Sequence, residues 1–519
     1  MIKDTLKQKL ASHLDHMECL PEKGFVLENP KNPLLGDYAL TIAFDLAKQK
    51  RQNPLSIAKE IVLELSKRIP KEEMLFTDLN GYINIQFTDN EIWKMVSSNE
   101  NRLDLFPKSS EKILIEFVSA NPTGPLHIGH GRWAVLGDIM CRLKRAVGVT
   151  VSSEFYINDT GNQVKQFRNS VSAAKDKKPI PKEGYHGQYV LELAQESGDP
   201  VERMISQQKE TLEKLNVTFD NWFSELSLHN GQVEAAISEL KKEYTYEKEG
   251  ALWFSSSQFG DDKDRVLIKA TGDKTYFASD VAYHREKLSR GFTTLVNVFG
   301  ADHHGYVARM KAATQAISKV EGILFNVETH FKIIIGQLVS LFREGKPIRM
   351  SKRTGEMITL REVIDEIGVD ATRFFMVFKS ADTHLDFDLE VAKKQSSDNP
   401  VYYIQYAHAR ICSVFRNLQV TPPFVHPENA DLNSDERQML LVALKLNDAL
   451  YEAALHYQPH RFAAYTYQLA KQFHLFYQKC PIKSASEEDQ KKRLFIVYFV
   501  QRCLKRSLDI LGISAPEQM

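Results

Sequence analysis

The chain has 519 residues, of which 43% are hydrophobic and 26% are charged, and this length predicts several domains with buried cores of their own. The 67 basic and 67 acidic side chains balance, so composition does not indicate a nucleic-acid-binding protein, and any such binding must come from local patches. The sequence has no apolar run of the roughly 20 residues that span a bilayer, and its charged start does not resemble a signal peptide, so we expect a cytoplasmic protein without membrane contact.

The first part of the chain, to about residue 105, predicts a small α+β module. Residues 45–69 have apolar positions at helical spacing, and residues 81–87 (GYINIQF) alternate as in a half-buried strand. Tyr82 and Asn84 occupy alternate positions of this strand and therefore lie on one face.

The next segment predicts the first unit of a nucleotide-binding α/β fold. A continuous β-rich run at 112–119 is followed by a Pro/Gly loop and then by a helix at 133–148. The runs RVLIK, TLVNVFG and HFKIIIGQLV predict further strands of the same parallel sheet. Residues of about 160 to 255 read as a polar, mainly helical insertion, and the pattern is helical from about 395 to the end.

Two histidines, His127 and His130, stand three residues apart in the loop ANPTGPLHIGHGR. Metal binding would need a third ligand nearby and a pair placed within the helix, whereas this pair precedes the predicted helix. The pair could also be hydrogen-bonded scaffold at a strand end. The third interpretation is that the imidazoles donate to nucleotide phosphates beside a helix N-terminus. Gly129 would then leave room for a flat base to lie on the backbone.

A basic loop at Arg349, Ser351, Lys352 and Arg353 precedes another predicted helix. Taken alone it is compatible with a solvated turn, and together with the histidine loop its charges suit a pyrophosphate leaving group. The five cysteines form no CxxC pair, which argues against a disulfide framework and a zinc thiolate site and favours buried, reduced thiols.

These motifs resemble a known family. LHIGH and RMSKR resemble the HIGH and KMSKS signatures of class I aminoacyl-tRNA synthetases, and nearly the whole chain resembles the arginyl-tRNA synthetase family. NPLLGDYAL and GYINIQF are similar to that family's N-terminal additional domain, TYFASDVAYH to its amino-acid pocket, and YYIQYAHAR and LGISAPEQM to its anticodon-binding domain. The chain departs from KMSKS by having Arg349 and Arg353 in place of the first lysine and the last serine.

The resemblance implies ATP-dependent ligation of arginine to tRNA(Arg) through an arginyl-adenylate. It implies a Rossmann-type α/β catalytic domain at 106–394, an N-terminal α+β module at 1–105 that binds the tRNA D-loop, and an all-α anticodon-binding bundle at 395–519. We expect ATP with Mg²⁺ as the substrate complex, no structural metal, and a monomer.

The resemblance also implies roles for individual residues. The expected catalytic residues are His127, His130, Ser351 and Lys352. The expected ATP contacts are Pro122, His127, Gly129, His130, Asp302, His303, Met350 and Lys352, where the sequence DHH could instead suggest a metal. The expected arginine pocket is Glu116, Ser119, Asn121, Tyr276 and Asp280, because a guanidinium needs paired acceptors. The expected tRNA contacts are Tyr82, Asn84, Tyr403, Tyr406, Arg410 and Met519, where a tyrosine stripe could instead be core.

Other functions remain open at this point. A cysteine enzyme of this class would need zinc thiolates that the sequence lacks, and a class I lysine enzyme would use another pocket. A small-molecule adenylyltransferase would have no use for the two flanking domains. A catalytically silent tRNA-binding module is the alternative that is not an enzyme.

Overall fold

The computed structural model describes residues 2–17, 19–20, 24–28, 30, 32, 35–100, 106–348, 358–427 and 430–519, with the backbone alone at 2 and 302–304. Within this part of the chain, the N-terminal module is a four-stranded antiparallel sheet in the order β1-β2-β4-β3 with helices packed on it. Its elements are α1 (Ile2–Asp15), β1 (Leu27–Glu28), β2 (Tyr38–Leu40), α2 (Ile42–Lys50), α3 (Pro54–Arg68), β3 (Met74–Leu79), β4 (Tyr82–Phe87) and α4 (Asp89–Glu100).

The predicted helix at 45–69 is two helices. α2 ends at Lys50 and is capped by Arg51, whose φ of 53° is left-handed. α3 starts at Pro54 behind the Asn53 side chain, which accepts from the backbone N–H of Leu55. Proline suits the first helical position because it lacks an N–H that would go unpaired there. The chain therefore turns between the two helices where a continuous period suggested one.

The middle part of the chain is built on a five-stranded parallel sheet in the order β12-β11-β5-β6-β7. Its first half contains β5 (Lys112–Glu116), α5 (Ile128–Ala146), β6 (Thr150–Ile157), α6 (Gly161–Lys175), α7 (Gln188–Gln195), α8 (Pro200–Lys214), β7 (Asn221–Ser224), α9 (Gln232–Lys241), β8 (Thr245–Lys248), β9 (Ala251–Phe254) and β10 (Arg265–Ile268). Its second half contains α10 (Tyr276–Ser289), β11 (Thr294–Gly300), α11 (Val307–Val320), α12 (Val327–His330), β12 (Phe331–Gly336), β13 (Val339–Arg343), β14 (Lys346–Pro347), α13 (Leu360–Ile367), α14 (Val369–Val377), β15 (Leu385–Asp388) and α15 (Leu389–Lys393).

One sequence prediction about this sheet was wrong. The run RVLIK is β10, which pairs antiparallel with β9 in a separate three-stranded sheet, so it is no part of the parallel sheet. The insertion contains helices α6 to α9, and it also supplies β7, which pairs in parallel with β6. The predictions for TLVNVFG and HFKIIIGQLV were confirmed, since they form β11 and β12.

The last part of the described chain is a helical bundle, as predicted. Its helices are α16 (Pro400–Leu418), α17 (Ser434–Leu444), α18 (Leu446–His456), α19 (Pro459–Lys479) and α20 (Glu487–Leu511). The bundle also holds the N-terminal module, because Arg437 on α17 bonds to Asp37 at 2.6 Å and to Asp89 at 3.0 Å. No helix in the described ranges is long and apolar enough to cross a membrane.

Candidate active site

A cavity of about 680 Å³ opens at the carboxyl end of the parallel sheet, where ligands bind in this fold class. It lies between the ends of β5, β6 and β11 and the first turns of α5 and α10. The predicted residues that line it are Glu116, Ser119, Asn121, His127, Gly129, His130, Tyr276 and Asp280. Pro122 is buried and does not line it.

Some predicted site residues fall outside what the structure describes. Arg349, Met350, Ser351, Lys352 and Arg353 all lie between described residues 348 and 358. Asp302 and His303 belong to a short 3-10 turn, Ala301–Tyr306, directly after β11, and their side chains are outside the described part. Their predicted roles stay predictions.

The two histidines form the N-terminal cap of α5. His127 is the N-cap residue, and its Nδ1 accepts from the backbone N–H groups of Gly129 at 3.1 Å and His130 at 3.4 Å. His130 returns the bond, since its Nδ1 accepts from the backbone N–H of His127 at 3.3 Å. His130 therefore lies inside the first helical turn, whereas the sequence placed both histidines before the helix.

The hydrogen bonds of this cap determine which nitrogen of each imidazole carries the hydrogen. The rings stack with centroids 3.6 Å apart and planes 18° apart. Because each Nδ1 is an acceptor, each ring is neutral and carries its hydrogen on Nε2. The pair thus supplies two N–H donors at the positive end of a helix, an arrangement that favours phosphate oxygens.

The histidine loop is bonded to the segment that follows the predicted basic loop. Thr359 and His127 form an isolated antiparallel bridge, and the backbone N–H of Leu360 donates to the carbonyl of Leu126 at 2.7 Å. A Cβ at Gly131 would lie 2.5 Å from the Leu360 side chain, so α13 packs tightly on the first turn of α5. The chain leaving the basic loop is therefore anchored beside the histidines.

Asp280 is a half-buried carboxylate on the second turn of α10 that lines the cavity. Burial, followed by the nearby charges of Glu225 and Glu116, raises the pKa of Asp280 to about 8. Within the described residues, its carboxylate accepts no hydrogen bond. The positive charges of Lys287 and Arg309 act in the opposite direction and do not offset this effect.

Glu225 is a second acid in the cavity, and the sequence analysis missed it. It is 5% exposed, and its pKa is raised by burial and then by Asp159, with only a hydrogen bond to Thr160 acting against them. The imidazole of His229 lies 4.0 Å from it. Glu225 follows β7 directly, so the available signal was an acid just after the short aromatic strand NWFS, inside a segment interpreted as mainly helical.

Glu116, by contrast, already has a cationic partner. Its carboxylate accepts from the buried Lys287 ammonium at 2.5 Å and from the Ser119 hydroxyl at 3.1 Å. Lys287 also donates to Asn297 on β11 at 3.2 Å. Glu116 therefore contributes mainly by holding Lys287 and Ser119, and it offers a substrate guanidinium less than the sequence-based interpretation assumed.

The rim of the cavity carries the remaining predicted residues. Tyr276 is 65% exposed at the start of α10, and Asn121 donates to the Gln163 side chain at 2.7 Å. Leu338, which the sequence analysis did not single out, lines the cavity and is 64% exposed. An apolar side chain held in this position suits a flat base.

The predicted tRNA-contacting strand is only partly accessible. Tyr82 is 42% exposed and meets the ring of Phe44 edge-on, with centroids 5.1 Å apart. Asn84 is 4% exposed, between Ala39 of β2 and Thr77 of β3 in the sheet. Tyr82 is thus presented to a partner, and Asn84 is largely covered.

A second cavity, of about 530 Å³, lies in the C-terminal bundle. Tyr406, Arg410, Tyr477 and Met519 line it, and the Arg410 guanidinium lies 4.6 Å from the ring centre of Tyr477. The C-terminal tail is held on α16, for instance by the Arg416 guanidinium donating to the Glu517 carbonyl at 3.1 Å.

Tyr403 does not line this cavity. Its ring packs against those of His474, at 4.4 Å, and Tyr467, at 5.6 Å. The interpretation of Tyr403 as core, left open above, fits this placement better than a tRNA contact.

The parallel sheet and the cavity at its carboxyl edge, beside a histidine-capped helix, define a class I aminoacyl-tRNA synthetase. The family model for the class I (R) tRNA synthetase catalytic domain matches residues 92–182 and 188–404. The models for the arginyl tRNA synthetase N terminal domain and the DALR anticodon binding domain match residues 2–87 and 404–519.

Similar proteins narrow this class to one family. The arginine–tRNA ligase of Bacillus licheniformis is 39% identical over 100% of this chain and 99% of its own, and that of a Geobacter species is 41% identical over 95% and 94%. The Thermus thermophilus arginyl-tRNA synthetase structure shares the fold, with a TM-score of 0.82, 22% identity and full coverage of both chains. The chain belongs to the arginyl-tRNA synthetase family. Its function is the ligation of arginine to tRNA in protein synthesis, and as a class I enzyme it uses ATP.

Proposed function

We propose that the cavity at the sheet edge binds arginine between Asp280 and Glu225 and activates it with ATP held by the histidine pair. The observation that carries this proposal is a pair of acids, the buried Glu225 and the half-buried Asp280, that have no full counter-charge among the described residues. Burying such charges is costly unless a cation completes the site. A planar guanidinium with five donors can bond to both carboxylates, whereas the compact ammonium of lysine concentrates its three donors at one point.

The two acids leave the other predicted residues to hold the rest of the substrate. Asn121 and Tyr276 lie at the rim, where they would contact the amino-acid backbone. Ser119 and Glu116 support the pocket from behind through Lys287. This arrangement keeps the guanidinium deep and the reacting carboxylate near His127.

The chemical step needs no nucleophile from the protein. An oxygen of the arginine carboxylate attacks the α-phosphorus of ATP, and pyrophosphate leaves. A ribose hydroxyl of the terminal tRNA nucleotide then attacks the carbonyl carbon, and AMP leaves. Catalysis is therefore positioning and charge stabilisation, which the Nε2–H groups of His127 and His130 and the Lys352 ammonium would supply. Mg²⁺ would arrive with the ATP phosphates.

The remaining predicted ATP contacts surround this phosphate site. Gly129 leaves the loop backbone open, and a Cβ there would lie 3.0 Å from the His127 ring. Met350, Ser351, Asp302 and His303 keep their predicted roles around the nucleotide. Pro122 acts only by shaping the loop, since it is buried away from the cavity.

For tRNA we propose two contact surfaces. The N-terminal module, residues 1–105, would present Tyr82 to the D-loop, with Asn84 reached only at the edge. The bundle, residues 395–519, would read the anticodon in the cavity of Tyr406, Arg410 and Met519. The catalytic domain would span 106–394, and the enzyme would act as a cytoplasmic monomer.

Substitution of one of the two acids tests the proposed arginine site. Glu225→Gln keeps the shape but removes one charge, so we expect kcat/KM for arginine to fall at least about 10²-fold, as buried charged hydrogen bonds imply. The measurement is kcat/KM for arginine and for lysine in wild type and variant. Asp262→Asn, an exposed acid outside the cavity, is the control. An unchanged kcat/KM for arginine in Glu225→Gln would show that the guanidinium binds elsewhere in the cavity.

A further inference from the structure

Outside the substrate cavity, the described residues include a fully buried arginine where the catalytic domain meets the bundle. Arg373 lies on α14 and is 0% exposed. Its Nε donates to the Leu511 carbonyl at 3.0 Å, and its Nη1 donates to the carbonyls of Leu215 at 3.0 Å and Asn216 at 3.1 Å. Its Nη2 donates to the Asp138 carboxylate at 2.5 Å.

A second arginine extends this junction. Arg142 Nε donates to the same Asp138 carboxylate at 2.7 Å, and its Nη2 donates to the Asn216 carbonyl at 3.1 Å. Its Nη1 reaches the Asp509 carbonyl at 3.4 Å. The Asn216 side-chain amide donates in turn to the Gly512 carbonyl at 3.1 Å.

In this junction, formed by Arg373, Arg142, Asp138 and Asn216, the positive charges of the two arginines are compensated by Asp138 and by the C-terminal ends of two helices. Two guanidinium groups share one carboxylate, and the other acceptors are backbone carbonyls where α8 and α20 end and the side-chain oxygen of Asn216, which accepts from Arg142 at 3.4 Å. A helix C-terminus carries partial negative charge, so the two ends converge favourably on the cations. Three parts of the molecule meet here: α5, the insertion through α8, and the bundle through α20.

α5 connects this junction to the active site. The helix begins beside His127, and Asp138 lies three turns further on, roughly 16 Å along its axis. On the other side, α20 ends at Leu511 and the tail runs on to Met519 in the bundle cavity.

We propose that Arg373 is a positioning residue for the ligation reaction, which fixes the histidine-bearing helix to the end of the bundle. This inference rests on the proposed phosphate role of His127 and His130. A buried ionic network bonded on several sides resists sliding, because any shift leaves donors without acceptors in a dry environment. A bundle moved by tRNA therefore carries α5 with it, and with α5 the two imidazoles.

Arg373→Lys tests the link from the catalytic side. Lysine keeps the charge beside Asp138, but its single ammonium cannot reach carbonyls on two helix ends. We expect kcat for charging, per active site, to fall at least about tenfold, since small misplacements of catalytic groups have such effects. The KM for tRNA should stay within about twofold. The concentration of folded enzyme is taken from the amplitude of the thermal unfolding transition, so loss of folded enzyme does not enter kcat.

Arg493→Lys is the matched control. Arg493 lies on α20, the helix whose end Arg373 contacts, and its guanidinium bonds to Glu436 and to the Pro481 carbonyl, both within the bundle. This variant should lower Tm without lowering kcat per site. Equal loss of kcat in both variants would show that the bundle needs only to be stable, and would overturn the proposal.

Gly512→Ala tests the link from the bundle side without removing a charge. Gly512 has φ of +67°, and a Cβ there would lie 2.3 Å from Arg373 Nη2. Gly322→Ala is its control, because Gly322 has φ of +68° past the end of α11 and a Cβ there would meet nothing within 4 Å. Both variants have the same backbone strain, and only Gly512→Ala should lower kcat per site.

Failure of the proposed histidine role would look different. If His127→Asn left kcat unchanged while Arg373→Lys and Gly512→Ala lowered it, the phosphate role would be wrong and the positional link would stand. If the two junction variants matched their controls while His127→Asn lowered kcat, the link alone would be wrong.

Discussion

Arginine binding should release a proton, because Asp280 is protonated in the substrate-free pocket near neutral pH. With the pKa of Asp280 at about 8, roughly nine-tenths of the carboxyls carry a proton at pH 7. A guanidinium binds the carboxylate form, so binding must displace that proton. Arginine affinity should therefore weaken up to about tenfold per pH unit below 8 and level off above it.

The number of released protons is measurable directly. Isothermal titration of arginine at pH 7, with tRNA saturating, in two buffers of different ionisation enthalpy should give about one proton per arginine. In Asp280→Asn the release should vanish, and kcat/KM for arginine should fall at least about 10²-fold, because a charged hydrogen bond is lost and misplaced amide donors are buried. A pH-independent KM between 6.5 and 8.5 in wild type, with no proton release, would refute this reasoning.

The same shift affects stability with a defined sign. Because the pKa of Asp280 is raised on folding, the folded state keeps a proton that the unfolded chain releases above its ordinary pKa of 3.8. Stability without substrate therefore falls as pH rises from about 4 to 8. Asp280→Asn removes this loss, so its Tm at pH 8 without arginine should exceed that of wild type. A lower Tm there would mean that the carboxylate is compensated.

Further outcomes concern the phosphate and tRNA sites. His127→Ala and His130→Ala should lower kcat roughly 10²- to 10³-fold, as for one lost transition-state donor, with little change in the KM for arginine. His127→Asn, which retains a capping oxygen, should show the same kcat loss at near-normal Tm, and a rise in arginine KM at constant kcat would contradict the phosphate role. Tyr82→Ala should raise the KM for tRNA about tenfold by loss of stacking, and Tyr82→Phe should restore it. An unchanged KM for tRNA in Tyr82→Ala would show that β4 has a structural role and does not contact tRNA.

Local patterns were sufficient for the elements that carry the nucleotide. A strand, a glycine loop and a helix in series can be recognised from hydrophobic period alone, although α5 begins at Ile128, five residues before the predicted start. The resemblance of TYFASDVAYH to the family's amino-acid pocket singled out Tyr276 and Asp280, which lie about one turn apart at the start of α10.

Long-range pairing decided what the sequence did not show. Glu116 looked available for a substrate, but its partner Lys287 is 171 residues away in the chain. Glu225 was hidden because a four-residue strand inside a helical insertion gives almost no periodic signal. Asn84 looked exposed by alternation with Tyr82, yet it is 4% exposed in the central strand β4, between β2 and β3. These partners and this burial depend on the tertiary structure, so a short stretch of sequence cannot predict them.

The strand order of the parallel sheet also determines when each strand can pair with its neighbours during translation. β5 pairs with β6 soon after it is made, but its other neighbour, β11, comes much later, as the bond between Lys112 and Thr293 across 181 residues shows. At about 5 to 20 residues per second, a ribosome needs roughly 10 to 40 seconds to make that stretch. During this interval β5 has one unpaired edge, and Glu116 has no Lys287 to neutralise it. The nascent chain therefore passes through a stage in which β5, the strand that will form the floor of the pocket, has an exposed edge. A chaperone would be most useful to the chain at this stage.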